Sequence, residues 1–218
     1  MSTAPSLRTK LRRMPARGTH DREAIHSILD EAMVAHLGFT HEGQPYVTPT
    51  LHARVGDEVY FHGSAASRTI RALGSGSPAC LTVTLLDGLV LARAAVHHSV
   101  NYRSVVVLGV ARPVEDLSER MRAAEAFTER LIPGRWQEVR PPTIKELKAI
   151  HILALPIEEA SAKVRTGPPM DEEEDYALTA WAGVIPMCTD AGAPVPDSRL
   201  ADGIALSPAV RDWTPQRG

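Results

Sequence analysis

The spacing of hydrophobic and polar positions changes several times along the chain, and each change marks an element. After Asp21, the residues Ile25, Ile28, Leu29, Ala32 and Met33 recur at helical spacing. The stretch to His36 therefore reads as an N-capped amphipathic helix packed on a core. From Leu37 the period falls to two. A strand over Leu37 to His41 passes through the turn Glu42-Gly43-Gln44-Pro45 into a second over Tyr46 to Arg54. There Val47, Pro49, Leu51 and Ala53 share one face, and Thr48, Thr50, His52 and Arg54 the other.

Gly56-Asp57 turns the chain into a strand over Glu58 to His62, and Ala65 to Leu73 reads as a short helix stopped by Gly74-Ser75-Gly76. Two strand-like runs, Ala79 to Leu86 and Leu89 to Ala95, flank Asp87-Gly88, the signature of a tight hairpin. Ser104 to Ala111 has the β-branched composition of a buried strand, and Ser118 to Leu131 is helical. Thr143 and Glu146 match a capping box at the start of another helix. Ile150 to Pro156 is a last hydrophobic strand, and the acidic run Asp171 to Asp175 reads as a solvated loop. Many short strands with helices at the margins predict an α+β domain on a mainly antiparallel barrel or sandwich.

Composition sets the boundaries. Residues 1–17 hold five Lys or Arg and no acid, residues 18–187 form the body, and the tail 188–218 has four Pro and three Gly without periodicity. The tail is expected to be mostly irregular and packed over the body through Trp213. The balance of 24 Lys+Arg against 26 Asp+Glu, a net −2, argues against a generic nucleic-acid binder. Cys80 and Cys188 have no zinc or disulfide-framework spacing. No apolar run approaches the length of a membrane span. The basic arm lacks the apolar stretch of a secretory signal, so a cytoplasmic protein is expected, an organelle transit peptide being the alternative.

Three segments carry candidate chemistry. Pro49 interrupts a strand pattern, which makes that strand an edge or a bulge with something other than a strand beside it. Val47, Thr48, Pro49 and Thr50 would face that neighbour, or would be plain edge residues. His62, Gly63, Ser64, Ser67 and Arg68 lie where a strand gives way to a helix. Small residues, hydroxyls, free amides and a guanidinium suit an anion there, although a capped helix with a surface arginine explains them as well. The polar run His97 to Ser104 precedes the most hydrophobic strand. Adjacent histidines on a strand point to opposite faces, so no metal site is expected. No GxSxG elbow occurs, and no side chain stands out as acid, base or nucleophile. If the protein is an enzyme, a cofactor carries the electron chemistry.

Seven strings in unbroken order resemble the pyridoxamine 5′-phosphate oxidase-like split-barrel superfamily, in its branch related to nitroimidazole-resistance reductases. They are ILDEA (28–32), GQPYVTPT (43–50), YFHGSAASR (60–68), DGLVLAR (87–93), NYRSVVVLG (101–109), SAKVRTGPP (161–169) and WAGVIP (181–186). The resemblance implies a six-stranded, mainly antiparallel split β-barrel with flanking helices. It also implies a homodimer with FMN in the clefts between subunits and a small organic molecule as substrate. Val47, Thr48, Pro49 and Thr50 would then lie along the flavin ring, and His62, Gly63, Ser64, Ser67 and Arg68 would hold its phosphate. Tyr102, Arg103, Ser104 and Trp181 would line the cleft. Many relatives carry lysine one position after the arginine, where this chain has Thr69. The Arg/His pair that grips vitamin B6 phosphate is missing near Asp171 to Asp175 and Trp181, which disfavours that oxidase activity. Nitroreductase-type chemistry stays open. So do a non-catalytic flavin store, a deazaflavin, and a haem held by His62, His97 or His98.

Overall fold

The computed structural model describes residues 6–213. The chain begins with β1 (Gly18–Thr19), α1 (Arg22–Glu31), β2 (Val34–His41), β3 (Gln44–Leu51), β4 (Ala53–Val55) and β5 (Glu58–Gly63). Next come α2 (Arg68–Gly74), β6 (Pro78–Leu91), β7 (Ser99–Val110), β8 (Arg112–Pro113) and α3 (Leu117–Leu131). It ends with α4 (Ile144–Ala149), β9 (His151–Pro156), β10 (Glu159–Arg165), β11 (Gly183–Pro186) and α5 (Pro208–Arg211).

The strands form two sheets, β1-β10-β7-β6-β2-β3 with β11 joined to β6, and β4-β5-β9-β8. Every pair is antiparallel. The α+β split barrel is thus present. Its expected six strands appear as seven of six residues or more, with four shorter ones extending the edges.

The alternation of side chains explains how the barrel closes. Leu37 opposes Leu81, and Leu81 opposes Val107, so the three share one face of the large sheet. All three are buried, together with Val59, Phe61 and Leu155 of the second sheet and Ile25 and Leu29 of α1. Hiding one such side chain contributes about 1.5–3 kcal/mol. A second cluster joins Tyr60 and Ile152 to Ala123 and Phe127, which seats α3 on the smaller sheet.

Three sequence-based expectations need correction. The first helix is capped as expected, with Asp21 accepting from the Ala24 amide at 2.9 Å, but it stops at Glu31. Val34 to His36 instead pair with Leu51 to Pro49. Partner-strand pairing of a β-branched start outweighs a helical period that had little left to bury.

Asp87-Gly88 makes no hairpin. β6 runs through it as one strand, with the register against β7 shifting between Leu86 and Gly88. Asp87 is held by Arg103 rather than turned outward. A Cβ on Gly88 would lie 2.9 Å from Val184 of β11, so the glycine serves a bulge beneath a crossing strand.

Asp171 is not solvated. Its side chain is fully covered and accepts from the Arg93 amide at 3.0 Å and the Ala94 amide at 3.2 Å. The tail after Cys188 holds one helix, the four-residue α5, among the described residues.

Candidate functional site

β3 is the free edge of the large sheet, and Pro49, opposite His36, donates to no neighbour there. Tyr46, Thr48 and Thr50 oppose Phe39, Leu37 and Ala35, so they sit on the core side of this edge. The Tyr46 ring stacks on Phe39 at 5.7 Å. The Arg68 guanidinium also lies over the Tyr46 ring, 4.3 Å from its centroid. Thr69 donates to Thr48 across a 3.4 Å gap, tying the start of α2 to the edge strand.

The loop before α2 is drawn tight by the Ser67 amide donating to the Ser64 carbonyl at 2.9 Å. The Ala66 amide donates to the Ser64 hydroxyl at 3.2 Å. Ser67 caps α2 without a side-chain capping bond. Arg68 is exposed and has no carboxylate partner among the described residues. The grouping is therefore one guanidinium without a carboxylate partner among the described residues, on a segment whose neighbouring hydroxyls are Ser67 and Thr69, with Thr48 bonded to the latter. That donor set matches a phosphate group, whose oxygens only accept. A helix of seven residues adds little of its own, so side chains carry the fit.

The other expected residues fall elsewhere. Val47, Pro49, Tyr102 and Ser104 lie on the outer face of the large sheet, away from the core. Arg103 points to the opposite side and is committed. It donates to Asp87 at 2.8 Å and 3.0 Å, and to Glu31 at 2.7 Å and through a second short bond. These bonds, Asp87 first and Glu31 second, raise the guanidinium pKa above its ordinary value. It is therefore a brace between α1 and the β6 bulge, not a free phosphate ligand.

His62 sits edge-on to Phe127 at 4.6 Å, and burial lowers its pKa below 6.5. Trp181 is 67% exposed, its ring folded back over Gly183. The His98 Nδ1–H donates to the Ala94 carbonyl at 3.1 Å, and His97 Nε2 lies 4.0 Å from Glu172.

A second concavity was not anticipated. A cleft of about 1560 Å³ opens between the end of α1, the C-terminal half of α3, the β6 bulge and the tail. Arg54, Arg103 and Arg130 line it. Arg54 pairs with Asp30 at 2.5 Å and Arg103 with Glu31 and Asp87. The basic residues were visible in the sequence, but their convergence depends on a bulge that looked like a turn.

No helix among the described residues is long and apolar enough to cross a membrane. No curated protein matches the chain. Among solved structures, the flavocytochrome Anf3 from Azotobacter vinelandii is 44% identical, covering 95% of this chain and 97% of its own, with a TM-score of 0.89. The FAD and heme binding protein from Mycobacterium smegmatis is 40% identical, over 91% and 98% of the two chains, with a TM-score of 0.87. A nitroimidazole antibiotic resistance protein from Bacteroides thetaiotaomicron shares the fold at 22% identity over 67% of this chain and 86% of its own, TM-score 0.57. The sequence pattern of pyridoxamine 5′-phosphate oxidase matches residues 21–164, well over half the chain. By that match and by the split barrel it predicts, the chain belongs to the pyridoxamine 5′-phosphate oxidase family.

Proposed function

We propose that this protein is a flavin-dependent redox protein that acts as a homodimer on a small organic molecule. The observation that carries the reading is Arg68, a guanidinium with no carboxylate partner among the described residues, held on Tyr46 and flanked in sequence by Ser67 and Thr69, the latter bonded to Thr48. The residues fit a flavin phosphate, and the open edge at Pro49 leaves room beside the strand for a ring. A bound flavin supplies one- and two-electron chemistry. The chain's own residues grip the phosphate, fix the ring's position along Val47 to Thr50, and shield it from water.

A phosphate grip accepts FMN and FAD alike. The two relatives at 44% and 40% identity, a flavocytochrome and an FAD and heme binding protein, favour FAD and add a haem. A neutral imidazole is the form that ligates iron, and the direction of the His62 shift favours that form. The outer face of the large sheet exposes Val34, Val47 and Leu86, an apolar surface of the kind a second copy covers.

The test is the absorption spectrum of the purified chain, with the released cofactor identified by chromatography. Flavin bands with released FAD, with or without a Soret band, support the reading. Released FMN would keep the flavin and reverse the choice of nucleotide. A chain that takes up neither flavin nor haemin contradicts it. Reduction of the bound cofactor by no physiological donor would move the protein to the flavin-storage alternative.

A further inference from the structure

We propose that the cleft under the tail binds an organic carboxylate with an apolar ring body, its carboxylate held by Arg130. The chamber is separate from the Arg68 edge and shares no residue with it. Three arginines line it, and two are neutralised by the acids they touch. Arg130 is the exception. It makes no ion pair with a carboxylate among the described residues, and its one hydrogen bond goes to the Ala32 carbonyl at 2.6 Å. Its Nε is buried without a partner.

Arg120, also on α3, donates to the carbonyls of Val114, Leu147 and Ile150 and is used up as a structural tie. Arg130 carries the same five donors, uses one, and opens on a cavity.

The acids facing Arg130 do not fill the gap. Asp30 is paired with Arg54 and Glu31 with Arg103. Glu129, on the same helix, accepts from the Gly134 and Trp136 amides at 2.7 Å and 2.8 Å. The wall mixes apolar side chains, from Met33, Leu85, Leu131, Met187 and Trp213, with further carboxylates that are also engaged: Asp87 accepts from Arg103, Glu138 from Arg135 and the Ala209 amide, and Asp212 from Arg211. Within this mixed lining Arg130 is the cation without a carboxylate partner among the described residues, and at about 1560 Å³ the cleft exceeds the common small-molecule range of about 300–1,000 Å³. A guanidinium fork selects a carboxylate over a neutral group of the same shape. A free aromatic acid has this chemistry; haem shares the ring and carboxylates, but no histidine among the described residues lines the cleft and His62 lies outside it.

The experiment uses the full chain and two fluorescent probes of equal shape, a naphthalene carboxylate and its carboxamide. Quenching of tryptophan emission, to which Trp213 in the wall contributes, reads binding. The wild type is expected to bind the carboxylate at least about tenfold more tightly than the amide, since hydrogen bonds to charged groups are worth more than neutral ones. Arg130→Gln should abolish that preference while leaving amide affinity unchanged, and Arg130→Lys should restore part of it. Displacement of the carboxylate by haemin would identify haem as the occupant, and haemin uptake without displacement would leave a separate acid site. Equal affinity for the two probes in the wild type, no binding of either, or an unchanged preference in Arg130→Gln would overturn the proposal. Because the wild-type comparison comes first, it does not depend on the variants folding. It is also independent of flavin, which is scored by absorbance.

Discussion

Arg68 lies 4.3 Å over the ring of Tyr46 and meets no carboxylate among the described residues. The stacking fixes the guanidinium at the edge of β3 at a gain of about 0.5–1 kcal/mol, while its forked N–H groups stay available. The neighbouring position is Thr69, where the resemblance to the split-barrel family leads one to expect lysine. Thr69→Lys places a second cation beside the first. Flavin affinity should rise roughly tenfold, with a steeper dependence on salt, as read by fluorescence titration at two ionic strengths.

Val47 is 69% exposed on the outer face of the large sheet, beside Pro49. If a second copy covers this face, Val47→Asp buries a charge without a partner. The dimer dissociation constant should rise at least about tenfold. Analytical ultracentrifugation over a concentration series gives the answer, and an unchanged dimer would place the interface elsewhere.

Asp171 fastens the segment after β10 to the end of β6. Burial alone would raise its pKa, but bonds from the Arg93 and Ala94 amides and the Arg93 side chain outweigh it and leave the carboxyl below its ordinary value. Asp171→Asn loses the charge and turns an amide donor toward amide donors. The melting temperature should drop by several degrees, and limited proteolysis should cut first between residues 165 and 177. Cleavage unchanged in site and rate would show that the clamp holds nothing.

Burial lowers the pKa values of His26, His52 and His62 below 6.5. His52 is fully enclosed, its Nε2 2.9 Å from the Leu29 carbonyl and its Nδ1 without a partner. Each ring binds a proton less readily folded than unfolded. Stability is therefore fully present above about pH 6.5 and falls as pH drops from there toward the folded values. Depressed carboxylates such as Glu146, at about 2, lose their contribution only below the ordinary 4.5, so the two windows separate. Urea midpoints measured between pH 7 and pH 5 should decline, and less steeply in His52→Gln.

Elements with a local signal were legible in the sequence. Asp21 and the Thr143–Glu146 capping box announce their helices because caps act within one turn. Pro49 announces an edge because it lacks a donor. β10 was missed: its inward positions are Ala160, Ala162 and Val164, too small to register as an apolar stripe, and only β7 and β1 make it a strand. Asp87-Gly88 misled because turn chemistry and a bulge both need a small residue, and only β11 crossing above it decides between them.

The candidate site divides in the same way. Arg68 and its hydroxyls are contiguous in sequence, so they could be read together. Arg103 could not be read as a brace, because Glu31 and Asp87 reach it from 72 and 16 residues away. Whether Tyr102, Ser104 and Trp181 join the phosphate edge depends on a second copy of the chain, which one chain's sequence does not position.

As the proposed phosphate ligand, Arg68 is tested most directly by a flavin titration of wild type against Arg68→Gln. Losing charge-assisted bonds worth about 1.5–3 kcal/mol should weaken FAD and FMN binding by about ten- to a hundredfold. Riboflavin, which lacks the phosphate, should bind both proteins equally, and the melting temperature of the cofactor-free chain should barely move. Equal affinity of the two proteins for FAD, or an equal loss with riboflavin, would contradict the assignment.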